Sequence, residues 1–147
     1  MEHQSLIEFH AKEVDLPEMN APGVRDWIHA LILREDFRLD FLNFIFCSDK
    51  YLHEINLQYL DHDTYTDIIT FDNSDEAIGI EGDIFISLER VAENAAEYKV
   101  DVETELLRVM AHGVMHLCGY DDKSEKDIAK MRRKENEALD LAPKYIP

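Results

Sequence analysis

One stretch constrains this chain more than any other: Glu105 to Asp122, ELLRVMAHGVMHLCGYDD. Leu106, Leu107, Met110 and Val114 recur at helical spacing, so Glu103–Leu117 reads as an amphipathic helix with one face turned to a core. His112 and His116 are four residues apart. At about 100° per residue the two imidazoles lie within roughly 40° of each other, one turn apart. Such a pair can hold a metal ion from the face of a helix. Gly119 follows three residues after His116, where a helix ends on a residue able to adopt a positive φ. The chain can then fold back and aim Asp122 at the same point. His112, His116 and Asp122 are therefore the candidate metal ligands for one ion, with positions left open for water or substrate. The residue types favour Zn²⁺, although nickel, manganese or iron are compatible with the same ligands. Zinc proteases carry Glu directly after the first His, as the base that activates water. Here Gly113 stands at that position, which argues against peptide hydrolysis by that route.

A length of 147 residues suits a single domain, 1–147, that buries about two-thirds of its unfolded surface. No stretch approaches 18 apolar residues, and the N-terminus lacks a basic region followed by an apolar one. The expectation is a protein without a membrane span or secretion signal, in the cytoplasm. Cys47 and Cys118 make no disulfide framework. Cys118 is about 200° round the helix from His116, so it reads as a buried thiol rather than a ligand.

The net charge of −17 argues against a general nucleic-acid binder. The charge is uneven. Residues 1–122 hold 8 Lys and Arg against 27 Asp and Glu, whereas residues 123–147 hold 7 against 5. Lys123, Lys126, Lys130, Arg132, Arg133 and Lys134 begin immediately after Asp122. They read either as a solvated helix face or as phosphate contacts.

Taken in order, residues 4–9 suggest a short strand, and Pro22 opens a helix carrying Val24, Trp27, Ile28, Leu31 and Ile32. Residues 39–47 are apolar on both faces and read as a strand covered on both sides. Ser48 caps a helix over Tyr51–Leu60, and Asp61–Thr64 is a polar break. Thr66–Phe71 and Asp83–Ser87 read as neighbouring strands joined by an acidic linker. Asp67 is expected to tie down backbone near a strand start, and Asp83 to be structural. Arg90–Tyr98 is a helix with Val91, Ala92 and Ala95 inward. Ser124 with Asp127 opens a last helix through Leu139, which Pro143 ends. The order β-α-β-α-β-β-α-α-α gives an α+β domain, a small mixed sheet with packed helices, its metal site on a central helix and the turn after it.

HGVMHLCGYDD resembles the HGxLHLxGYDH signature of the YbeY family of bacterial metal-dependent endoribonucleases. Thr66–Phe71 (TDIITF) is similar to the family's TDVLSF, Gly82–Ser87 (GDIFIS) to its GDIxIS, and Asn56 with Tyr59 to an upstream N-x-x-Y. Two positions depart from it. The family's third ligand is usually His, where this chain has Asp122, and Leu60 stands where an arginine commonly follows the tyrosine.

The resemblance implies the same α+β fold and a zinc-dependent hydrolase. Its activity would be a single-strand-specific endoribonuclease in ribosomal RNA (16S 3′ end) maturation and ribosome biogenesis. A bound ion would serve as a Lewis acid for a phosphodiester and activate a water held by His112, His116 and Asp122. The general base is unassigned; His62 is a candidate, but nothing in the sequence fixes its position. Lys123, Lys126, Lys130, Arg132 and Arg133 are the candidate RNA contacts. The alternative is a non-catalytic, metal-stabilised assembly factor that binds ribosomal proteins or other small-subunit factors. The acidic composition and Leu60 favour it, since ribosomal proteins are mostly basic.

Overall fold

The computed structural model describes residues 6–62 and 66–147. Its strands are β1 (Ile7–Lys12), β2 (Arg38–Cys47), β3 (Ile68–Asp72) and β4 (Gly79–Ser87). The helices are α1 (Ala21–Arg34), α2 (Asp49–Leu60), α3 (Leu88–Tyr98), α4 (Val102–Leu117) and α5 (Glu125–Leu141). One sheet forms in the order β1-β2-β4-β3, with β1, β2 and β4 parallel and β3 antiparallel to β4. This is the expected α+β class with a small mixed sheet. No described helix is long and apolar enough to cross a membrane.

Two strand boundaries differ from expectation, both because pairing sets them. Residues 7–12 rather than 4–9 form β1, since Ile7 to Lys12 register against Leu42 to Cys47. Residues 4 and 5 lie outside the described residues. β4 begins at Gly79 rather than Asp83, because Gly79 and Ile80 already pair with Arg38 and Leu39. Within the polar break, Asp61 closes α2 at φ 55°, and 63–65 lie outside the described residues. Ser48, Ser87, Asp101 and Ser124 each accept a first-turn backbone N–H, each cap worth about 1 kcal/mol. The Ser124 cap is the expected one, taking the Asp127 N–H at 3.1 Å.

Alternation along the strands divides the sheet into two faces. Leu42, Phe44 and Phe46 of β2 join Ile80, Ile84 and Ile86 of β4 in the main core, with α1 and α4 over them. Trp27 is fully buried there and donates its indole N–H to the Ala138 carbonyl at 2.8 Å, tying α1 to α5. On the other face, Cys47 and Ile69 pack with Leu52 and Ile55 of α2. Only the C-terminal half of β2 is therefore covered on both sides, and Phe41 and Asn43 stay half-buried. In α3, Val91 and Ala95 are buried but Ala92 is exposed. It sits about 100° round the helix from Val91.

Gly113 decides how close α4 comes to the sheet. A Cβ there would sit 2.9 Å from Ile68 Cδ1 and 3.0 Å from Ile84 Cγ2, so only hydrogen fits without displacing neighbours. The residue that leaves no room for a base after His112 is also the contact that lets the histidine helix lie against β3 and β4.

Candidate metal centre

The end of α4 turns the chain back over its own histidines. Cys118 and Gly119 donate their N–H groups to the Val114 and His116 carbonyls, and Tyr120 to Met115, all at 3.0 Å. Gly119 has φ +100°, a conformation that side-chain-bearing residues rarely adopt. Tyr120 then pins the returning loop. Its hydroxyl donates to Glu35 Oε1 at 2.6 Å, and Lys134 Nζ donates to Glu35 Oε2 at 2.9 Å. Glu35 closes α1, so the loop is clasped between α1 and α5. Burial works against the Glu35 carboxylate, but the hydrogen bonds from Tyr120 and Lys134 outweigh it and hold its pKa below the ordinary value.

Asp122 is thereby brought to the histidines. Its Oδ2 lies 3.3 Å from His112 Nε2 and 3.6 Å from His116 Nε2. Among the described residues, these three form the group whose ligand atoms all lie within 4.8 Å of one another. A tetrahedral ion with bonds of about 2.1 Å holds its ligand atoms about 3.4 Å apart. Two of the three separations already match that edge, so two imidazoles and a carboxylate here fit a divalent metal ion.

His112 is held from behind. Its Nδ1 lies 2.7 Å from Glu135 Oε2. Glu135 is buried on α5, its other oxygen accepting from Arg108 Nη1 at 3.1 Å and lying 3.7 Å from Arg132 Nη1. A carboxylate that accepts Nδ1–H fixes the tautomer and leaves the Nε2 lone pair facing the ligand cluster. Burial opposes ionisation of Glu135, but His112, Arg108 and Arg132 outweigh it and lower its pKa. Burial likewise opposes the imidazolium form, yet Glu135 and then Asp122 raise the pKa of His112. Beside the ligands opens a cavity of about 430 Å³ whose lining includes Asp67, Asn94, Glu105, Arg108 and Arg132.

Comparison with known proteins places this arrangement. The family model described as Endoribonuclease YbeY matches residues 6–142. The chain belongs to that family. It is 50% identical over 136 residues to the "Endoribonuclease YbeY" of Flavobacterium johnsoniae, covering 91% of this chain and 95% of that one. It is 51% identical to that of Cytophaga hutchinsonii, covering 94% and 96%. A solution structure of a Thermotoga maritima protein is similar with a TM-score of 0.65 and 26% identity, over 92% of this chain and 88% of that one. Of the stretches that carry the family resemblance, Thr66, Asp67, Ile68 and Thr70 line the cavity together with His112, His116 and Asp122.

Other expected residues fall at varied distances from this centre. Among the described residues, the Asp67 carboxylate ties down no backbone N–H. It accepts from Asn94 Nδ2 at 3.4 Å and lines the cavity, while its main-chain carbonyl takes the Ser87 N–H. Asp83 is structural, accepting from Asn43 and Asn73 at 3.0 and 3.2 Å. His62 does not line the cavity. It lies with Asn56 and Leu60 on a neighbouring depression that shares Thr66, Ile68 and Thr70 with the cavity, because its N–H continues the helix-end bonding to the Asn56 carbonyl. Cys47 and Cys118 are buried, and burial pushes each thiol up to about 12, out of reach of nucleophilic or ligand chemistry near neutral pH.

Of the basic cluster, Arg132 lines the cavity together with Ile128, Met131 and Glu135 of the same helix. Lys126, Lys130 and Arg133 are roughly 140–200° round α5 from that face. Lys130 Nζ lies 5.3 Å over the Tyr120 ring, and Lys123 is exposed in the loop after Asp122. Sequence reasoning missed Glu135, Glu105 and Arg108. A signal existed for the last two, since positions 105, 108 and 112 share one side of α4.

Proposed function

We propose that this chain is a metal-dependent endoribonuclease that hydrolyses single-stranded RNA. We further propose Zn²⁺ as its ion, held by His112, His116 and Asp122, and the 3′ end of 16S ribosomal RNA as its cytoplasmic substrate during ribosome assembly. The supporting observation is the convergence of these ligands at the edge of a cavity of about 430 Å³, in a chain whose relatives bear the name endoribonuclease. When bound, the ion would supply Lewis-acid polarisation of a phosphodiester and activation of water.

The chain's own residues do the rest. Glu135 keeps His112 in the ligating tautomer, and Arg108 holds Glu135 in place. The Arg132 side chain, though 3.7 Å from Glu135, is more than half exposed at the cavity and within reach of a phosphate bound there. Lys123 would meet a neighbouring phosphate beside Asp122, whereas Lys126, Lys130 and Arg133 would touch only strand segments outside the cavity. In a chain of net charge −17, RNA approaches through these local cations and the metal rather than the general field.

The acidic surface also favours a second reading, a metal-stabilised assembly factor that binds basic ribosomal proteins. One experiment separates the two: incubation of the metal-loaded protein with a single-stranded RNA, with and without a chelator, beside His116→Ala. The nuclease reading expects cleavage that the chelator stops, and loss of both metal and cleavage in the variant. A fully loaded protein that leaves RNA intact while binding ribosomal proteins would establish the second reading instead.

A further inference from the structure

Glu105 takes no part in holding the three ligands. It lies on the same side of α4 as His112, two turns earlier, since seven residues return a helix to within about 20° of its starting direction. It is 4% exposed and lines the cavity, yet its carboxyl has no hydrogen bond or ion pair with any described residue. Arg108, the nearest cation on its own helix, is turned to Glu135 instead. Burial, with Asp67 adding to it and Arg108 opposing, raises the Glu105 pKa. An unpartnered buried carboxyl costs free energy, and a fold that keeps one has a use for it when a ligand supplies the partner.

The surroundings say what kind of ligand. Asp67 and Asn94, already bonded to each other, line the same cavity. Ile68, Val109 and Met131 give it apolar walls. Tyr98 stands exposed at the rim. A largely polar cavity that also offers apolar surface suits a planar heterocycle, and unpaired bases are read this way, by stacking and by bonds to their edges. A phosphate would be repelled by the carboxylate of Asp67. Carboxyl acceptors select for N–H donors. Adenine, cytosine and guanine each offer an exocyclic amino group, whereas uracil presents two carbonyls and a single N–H.

Resting on the nuclease reading above, we propose that this part of the cavity is a nucleobase subsite. It takes an unpaired base bearing an exocyclic amino group, with Glu105, Asp67 and Asn94 on its edge and Tyr98 against its face. The subsite sets which nucleotide of a single strand is held beside the metal ligands.

Binding of 2′-O-methyl tetranucleotides that differ at one base tests this without depending on cleavage. The metal-loaded protein should bind the A, C or G strands about tenfold tighter than the U strand. Asn94→Ala and Glu105→Met should erase that ratio with metal content unchanged. Because Glu105→Met removes an unpartnered buried carboxyl at similar volume, its Tm should also rise, by about 3 °C. A ratio near one in the wild type, a ratio that survives both variants, or a lower Tm in Glu105→Met overturns the subsite. Hydrolysis of the matching ribose strand is scored separately. Base preference without hydrolysis keeps the subsite and sinks the nuclease reading, and hydrolysis without base preference does the reverse.

Discussion

Glu135 and Glu105 sit on adjacent helices, line one cavity and are almost equally hidden, at 6% and 4% exposure. Their circumstances are otherwise opposite. Glu135 meets His112, Arg108 and Arg132, and its pKa falls below the ordinary carboxylate value. Glu105 meets none of them, and burial moves its pKa the other way. Burial alone therefore does not decide whether a carboxyl is charged; its partners do. One acid is committed to holding His112. The other lines the same cavity without a bonded partner among the described residues.

Breaking the partnered acid should have the largest effect. Glu135→Ala would leave Arg108 and His112 without their buried partner, a loss of about 3 kcal/mol readable by urea unfolding. Glu135→Gln keeps the shape and should retain the fold while weakening metal binding by roughly 10- to 100-fold, measured by competition with a chelator. If metal affinity is unchanged in Glu135→Gln, the carboxylate does not aim His112. Asp122→His, by contrast, should keep the metal, since an imidazole replaces a carboxylate as third ligand.

The pH dependence of stability in the metal-free protein sharpens the same comparison, because the two acids have opposite signs. The Glu135 pKa is lowered on folding from about 4.5. Its contribution is present above that value and is lost as pH falls through the folded one. The Glu105 pKa is raised from about 4.5, so the folded state binds the extra proton and stability is lost as pH rises from that value through the folded one. Glu135→Gln should flatten the acid side of the profile and Glu105→Gln the other side. Both variants flattening the same side would remove the contrast.

The smallest expected effect is electrostatic. Binding of a single strand should weaken with salt by a log–log slope of about −0.7 per phosphate neutralised. Arg132→Gln, at the cavity, should make that slope shallower by about 0.7. Lys126→Gln or Arg133→Gln should change it less, since those side chains leave α5 away from the site. Equal changes from all three would mean that the strand follows the outside of α5 rather than the cavity.

Much of this is legible in the amino-acid sequence, and the reason is that local geometry dictates it. An i, i+4 histidine pair on an amphipathic helix, closed by a glycine, lets the chain fold back and aim a carboxylate three residues beyond that glycine at the pair. His112, His116 and Asp122 do converge. Caps and helical spacing likewise locate α2 and α4 to within a residue or two, because each depends on a few neighbouring side chains. Strand ends are less legible. Pairing with β2 adds Gly79 and Ile80 to β4, and partners distant in sequence set that pairing.

The packing of separate elements is decided by tertiary structure alone. Glu135 is 23 residues from His112, and nothing local relates them until α5 crosses α4. Asp67 reads locally as a backbone tie, but the neighbouring α3 supplies Asn94 and turns that carboxylate to the cavity. Gly113 reads only as the absence of a base, until Ile68 and Ile84 show that a larger residue must displace them. Glu105 looks like any exposed helix acid until burial removes its water and Arg108 turns elsewhere. Sequence spacing determined which residues could hold a metal; long-range packing decided which acids support it and which one remains free.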